Sequence, residues 1–319
     1  MIKLLLAISI ISLSALVHAE DDLCGYFKYC GSSSSPSRSS VNTSTSSILN
    51  PSNLAKIKGL GLETLYQQNN PFAFSIVTGN GRVGAALISP TLENSFFGIR
   101  SLELDYDYYL RYIERKRYMN KKINFATGIG LINSKNFTME LGISVRRNPD
   151  VKNINPGVGL NTQIGPIHLG AYVYKDDVKL DFKDYADPVS GLNYASIYGS
   201  SSYQESYLVK TMNLGVEIKN LSLDVAYLNT KYSFYREDTR VMLYTAAYRF
   251  GQFMFNYGIR KEESPNYAIT AMNQPSNVRQ KEFHYFGVQF IPTKRVMLGF
   301  GRNTFLTDEF SFTLTLFLN

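Results

Sequence analysis

From Lys58 to the C-terminus the chain is a succession of runs in which every second residue is apolar. In Phe310-Ser311-Phe312-Thr313-Leu314-Thr315-Leu316 the intervening positions are all hydroxylic. Phe137, Met139, Leu141, Ile143 and Val145 alternate in the same way with Thr138, Glu140, Gly142, Ser144 and Arg146. Leu102, Leu104, Tyr106, Tyr108, Leu110 and Tyr112 alternate with Ser101, Glu103, Asp105, Asp107, Tyr109 and Arg111. Leu221, Leu223, Val225 and Tyr227 oppose Ser222, Asp224, Ala226 and Leu228. Successive side chains of a strand point to opposite faces, so a period of two predicts strands with one apolar and one polar face.

Alternation alone fits a soluble sandwich as well as a membrane barrel. Two features separate them. The runs near 99–113, 205–219 and 221–235 are long; globular strands average 5–6 residues, whereas a tilted strand needs about 9–11 to cross a bilayer. The links also sort by length. Pro292-Thr293-Lys294, Phe250-Gly251-Gln252, Lys219-Asn220, Gly165-Pro166 and Asn133-Ser134-Lys135 are short, while those near 183–204, 262–280, 148–155 and 114–121 are long or charged. Bacterial barrels have short periplasmic turns and longer external loops. The expected fold is therefore an all-β transmembrane antiparallel barrel over 58–319. Its strands are expected near 58–66, 72–89, 99–113, 122–132, 136–147, 156–164, 167–182, 205–219, 221–235, 238–250, 252–261, 281–291, 295–302 and 308–318, fourteen in all. Gly79-Asn80-Gly81 makes 72–89 either one bulged strand or a hairpin, and in the second case 58–66 could lie in the lumen. Because lipid satisfies no free strand edge, the last strand is expected to pair with the first.

The first nineteen residues differ from this pattern. Lys3 supplies a positive start, Leu4 to Val17 an apolar core and Val17-His18-Ala19 a small-residue cleavage site, the order of an export signal. Its competitor is a buried N-terminal helix. Residues 20–57 include a nearly pure Ser/Thr tract from Ser32 to Ser47, which cannot build a core. That segment is either disordered at the periplasmic end or folded into the lumen as a plug. Cys24 and Cys30 are expected to form a small disulfide in an oxidising compartment. Asp22-Leu23 ahead of Cys24 argues against a lipid-anchored cysteine, and two cysteines without a nearby histidine supply half a metal site.

Loss of the signal lowers the formal charge from +7 to +6. That excess is spread out, and Arg115-Lys116-Arg117 reads as a solvated loop rather than a nucleic-acid site. No segment approaches a transmembrane helix. Beyond the signal only His168 and His284 remain, and no nucleophile elbow, zinc or phosphate motif occurs. Asp176-Asp177 reads as a strand bulge or rim in preference to a cation site, and His284, in phase with Phe286 and Val288, as interfacial or a strand-end irregularity. No enzyme activity, cofactor or metal is expected. The inward polar positions are Glu103, Asp105, Asp107, Arg111, Glu140, Arg146, Glu217 and Arg260. They either line a water-filled path or pair across the lumen to fill it. Fourteen strands enclose more space than side chains alone can fill, so a plug or a channel is expected.

Ile48-Leu49-Asn50-Pro51-Ser52-Asn53-Leu54-Ala55, followed by Gly59-Leu60-Gly61-Leu62-Glu63, resembles the Asn-Pro-Ala-x-Leu segment ahead of the first strand in the FadL and PorV type of outer-membrane barrel. About fifteen residues carry the resemblance, with Ser52 where Ala is usual. It implies fourteen strands and an N-terminal plug whose motif is Asn50, Pro51 and Leu54. The FadL branch takes up hydrophobic compounds and the PorV branch partners protein secretion. The expectation is an outer-membrane barrel of a Gram-negative cell that admits small solutes, hydrophobic ones included, by passive diffusion. The alternatives are a structural or surface-binding barrel, motivated by the Tyr-rich stretch from Tyr185 to Tyr207, and a secretion partner. Expected partners are membrane lipid and the assembly machinery, which would read the C-terminal strand although it ends Phe317-Leu318-Asn319 rather than on an aromatic.

Overall fold

The computed structural model describes residues 50–67, 70–88, 123–148, 153–181, 202–232, 239–264, 279–293, 295–303 and 309–318. The alternating runs fold into fourteen strands. They are β1 Lys58–Gln67, β2 Asn70–Asn80, β3 Val83–Ile88, β4 Ile123–Asn133, β5 Phe137–Asn148, β6 Asn153–Ile164 and β7 Ile167–Asp181. The second half comprises β8 Ser202–Ile218, β9 Leu221–Tyr232, β10 Thr239–Phe250, β11 Phe253–Ser264, β12 Arg279–Thr293, β13 Val296–Asn303 and β14 Glu309–Leu318. Neighbours in sequence pair antiparallel, and the ring closes between β1 and β14, with Leu62 opposite Leu316. Closure leaves no free edge, which hydrocarbon would not tolerate.

The two faces settle the choice between sandwich and barrel. Phe125, Ile143, Val158, Leu214, Leu223 and Phe255 point outward and are exposed, whereas Ser75, Asn124, Asn161, Thr211, Asp224 and Gln289 point inward and are buried. A water-soluble sandwich would bury the first set and expose the second. An apolar exterior around a polar interior is stable only when lipid replaces water outside.

Of the two readings left open around Gly79-Asn80-Gly81, the hairpin forms: β2 and β3 pair across a turn at Gly81-Arg82, and β1 stands in the wall rather than in the lumen. β3 pairs directly with β4, Ala85 opposite Thr127, and a further strand was expected between them at 99–113. That run lies outside the described residues; Glu103, Asp105, Asp107 and Arg111 fall there too, as do Cys24 and Cys30. The closed ring of β1 to β14 has the fourteen strands expected.

Links at one end of the barrel span only 81–82, 134–136, 165–166, 219–220, 251–252 and 294–295. Those at the other end span up to 89–122 and 182–201, with 68–69 the short exception. By the rule for bacterial barrels the first end is periplasmic.

Candidate functional site

Inside the barrel, against β2 to β6, lies a 3-10 helix, Pro51–Lys56. Its sequence explains its shape. Pro51 occupies the first turn, where its fixed φ fits and its missing N–H removes no bond. Asn50 caps it in an extended conformation, its Oδ1 accepting from the Ser52 amide at 3.2 Å and the Ser52 hydroxyl at 2.7 Å. The Ile57 amide closes the other end on the Leu54 carbonyl at 3.1 Å. One residue later the chain enters β1, turning through Gly59 at a φ of 84°, a conformation that glycine adopts without steric cost. Leu54, Ala55, Ser52 and Asn53 are all buried.

The wall beneath this helix is made of glycine. Gly59 pairs with Gly79, Gly79 with Gly84, Gly84 with Gly128, Gly128 with Gly142, and Gly142 with Gly159. The result is one hydrogen-bonded rung across six strands with no side chain on its inner face. A Cβ at Gly79, Gly84, Gly128 or Gly142 would come within 3.0 Å of the backbone of the helix or of Ile57, and one at Gly159 would meet the Asn50 side chain. The rung is therefore a trench shaped to admit a second backbone.

Polar contacts fix the helix along the trench. Asn50 Nδ2 donates to the Leu160 carbonyl at 2.9 Å. Lys56 Nζ lies 3.4 Å from Glu140 Oε1 and 3.4 Å from Gln163 Oε1, while Asn161 donates to Glu140 Oε2 at 3.2 Å. Glu140 is thus inward-facing, as expected, and its partner is a lysine of the segment inside the lumen.

Farther from the periplasmic turns, inward side chains bond one another. Arg146 lies over the Tyr174 ring, 3.4 Å from its centroid, and donates to the Tyr172 hydroxyl at 3.3 Å. That hydroxyl shares a 2.6 Å hydrogen bond with Ser144. Asp177 accepts from Asn153 at 2.9 Å, from Asn155 at 2.8 Å and from the Ser206 hydroxyl. The bonds from Asn153 and Asn155 join β6 to β7 beyond Gly157–Tyr174, where their described backbone pairing ends. Pro156, which has no N–H, stands at that point. At Asp176-Asp177 the β7–β8 register runs on unbroken, far from the periplasmic turns, and the Asp177 carboxylate accepts from three donors. Among the described residues no cluster of three or more His, Cys, Asp or Glu could hold a metal.

Arg260 is inward and buried on β11. Glu217 shares the inward phase at the periplasmic end of β8, 3.5 Å from the buried His168. His284 faces outward, stacked on Tyr257 with a 2.8 Å hydrogen bond to its hydroxyl, as an interfacial residue would be. The glycine rung was missed by sequence reading. Its signal was available, since Gly128, Gly142 and Gly159 each occupy the polar phase of a strand whose other phase is apolar.

The sequence matches no known family model and no curated protein. Among solved structures the fold is similar to a CymD monoaromatic hydrocarbon channel, with a TM-score of 0.42, 11% identity, and coverage of 86% of this chain and 93% of that one. It is also similar to outer-membrane expressed OmpT of Vibrio cholerae, with a TM-score of 0.40, 10% identity, and coverage of 82% and 96%. A KdgM porin matches with a TM-score of 0.32, 7% identity, and coverage of 62% and 93%. Likeness at this level concerns the barrel alone.

Proposed function

We propose that the chain is an outer-membrane channel for passive entry of small solutes, hydrophobic ones included, kept closed by its own segment 20–57. The observation that carries this reading is the 3-10 helix seated in a glycine trench: a wall built to receive a separate backbone, on a helix joined to the barrel through one residue, Ile57. A fourteen-strand ring has room for a path once such a helix leaves. The inner wall offers both chemistries a solute would need. Val209, Leu228, Val241 and Leu243 form an apolar stretch on β8 to β10, and Arg146 and Arg260 supply charge. The resemblance of Asn50, Pro51 and Leu54 to the FadL and PorV segment agrees with this role.

On the same reading the chain is not an enzyme. His168 lies 3.5 Å from Glu217 at the periplasmic end, and His284 stands on the outer face with its hydrogen bond to Tyr257. The stretch from Tyr185 to Tyr207 that motivates a surface-binding role lies largely outside the described residues. The test is solute flux into liposomes containing the full chain or a chain lacking 20–57. The proposal expects slow entry of sugars and monoaromatics with the first and fast entry with the second. Absence of flux from both, with the barrels folded, would overturn it.

A further inference from the structure

The outer surface carries a second pattern, independent of the lumen. Arg147, Lys175, Lys210, Lys231, Arg240 and Lys261 all take the outward phase of their strands and are exposed. They lie on β5, β7, β8, β9, β10 and β11. Counted along each strand from the residue beside its periplasmic turn (Phe137, Ile167, Ile218, Leu221, Phe250 or Phe253), each stands eight or ten positions up. At ~3.3 Å per residue and a tilt of ~40°, that is a height of roughly 20–25 Å, the far edge of a ~25 Å apolar band.

The columns below them confirm where the band ends. Lys210 stands over the exposed Met212 and Leu214, Lys175 over Val173 and Leu169, and Lys261 over Tyr257 and Phe255. Cross-strand register draws the cations together, with Lys210 opposite Asn229 and Asn229 opposite Arg240. Among the described residues, Glu282 holds Lys261 at 3.3 Å and Glu263 pairs with Arg240 in the ladder. Five of the six cations have no ion pair among the described residues. Long cationic side chains at the end of an apolar column extend toward polar headgroups. Six at one height, around half of the barrel, exceed what solubility requires of a surface that lipid covers.

We infer that this belt binds the phosphate groups of lipid headgroups in the external leaflet, orienting the β5–β11 side of the barrel toward phosphorylated lipid. Guanidinium and ammonium groups both donate to phosphate, and a row spanning adjacent strands matches a headgroup bearing more than one phosphate. The belt faces outward at a height set by the apolar columns, so it stands whether or not the lumen conducts.

The test is native mass spectrometry of the full chain in detergent, incubated with phosphorylated lipid A or its dephosphorylated form. Wild-type protein is expected to retain the phosphorylated lipid roughly tenfold better. The variant Lys175→Gln/Lys210→Gln/Lys231→Gln/Arg240→Gln is expected to lose that preference. A control with the same chemistry at the periplasmic end, Lys135→Gln/Lys219→Gln/Arg295→Gln, is expected to keep it. Equal retention of the two lipids by wild-type protein would overturn the proposal, as would an unchanged preference in the belt variant. The wild-type comparison decides the matter even if that variant fails to fold. Free inorganic phosphate is expected not to displace the lipid; displacement at comparable concentration would point to a simple anion site and also overturn it.

Discussion

Gly142 on β5 and Ser52 of the 3-10 helix lie so close that a Cβ on the glycine would fall within 3.0 Å of the Ser52 amide nitrogen. Neither residue can be understood alone. The glycine has no local conformational reason to be one, since its φ is ordinary for any L-residue. The helix needs a side-chain-free wall to bring its backbone this near.

Gly142→Val is therefore expected to leave the barrel folded while displacing the helix. Overpacking costs about 1–3 kcal/mol when a core absorbs it, and here the contact is backbone that cannot rotate away. Liposome swelling should show faster solute entry for the variant than for wild type, with heat-modifiable gel migration unchanged.

Lys56 and Glu140 form a pair of which the carboxylate is almost wholly buried. Lys56→Met should destabilise the seated helix by about 3–5 kcal/mol, because it strands that carboxylate with only Asn161 beside it. Lys56→Met/Glu140→Leu should cost much less. A double-mutant cycle, read from protease cleavage ahead of Asn50, would measure the difference; additive losses would deny the coupling.

Asp177 gathers Asn153, Asn155 and Ser206 where β6 and β7 cease to pair by backbone. Asp177→Ala leaves three donors without their acceptor, at roughly 1–3 kcal/mol each if they stay buried. Hydrogen exchange should accelerate at Asn153 to Asn155 while β4 and β5 stay protected.

Neighbouring residues on β8 face opposite solvents: Leu214 is exposed to lipid and Asn213 is buried inside. Leu214→Arg should lower the folding free energy by about 2–4 kcal/mol, as charge near the bilayer midplane does. Asn213→Ser should change it by less than half as much. Urea titrations in lipid vesicles would compare the two, and the reverse order would contradict the assignment of faces.

Much of this was legible in the sequence because a period of two needs no partner to be seen. The apolar phase of Leu221 to Tyr227 and the inward positions of Glu140, Arg146 and Arg260 followed from alternation alone. The path of 72–88 was not legible, because alternation with Gly79-Asn80-Gly81 in its midst fits one bulged strand as well as a hairpin. Pairing decides between them, and only the register of β2 on β3 reveals it. The glycine rung was illegible for a related reason. Six glycines scattered from 59 to 159 become one surface only after five registers are known. The mate of Glu140 was equally hidden, since Lys56 precedes the first strand and its position depends on the 3-10 helix entering the lumen.

The most direct test of the whole account is the reactivity of a thiol at position 54. In a background with Cys24 and Cys30 replaced by serine, Leu54→Cys should resist a membrane-impermeant maleimide in the vesicle-embedded barrel, because Leu54 is fully buried between helix and wall. It should react at once in urea, and in the folded barrel when Gly142→Val is added. Rapid labelling of Leu54→Cys in the intact barrel, from either side of the membrane, would mean that the segment does not occupy the lumen.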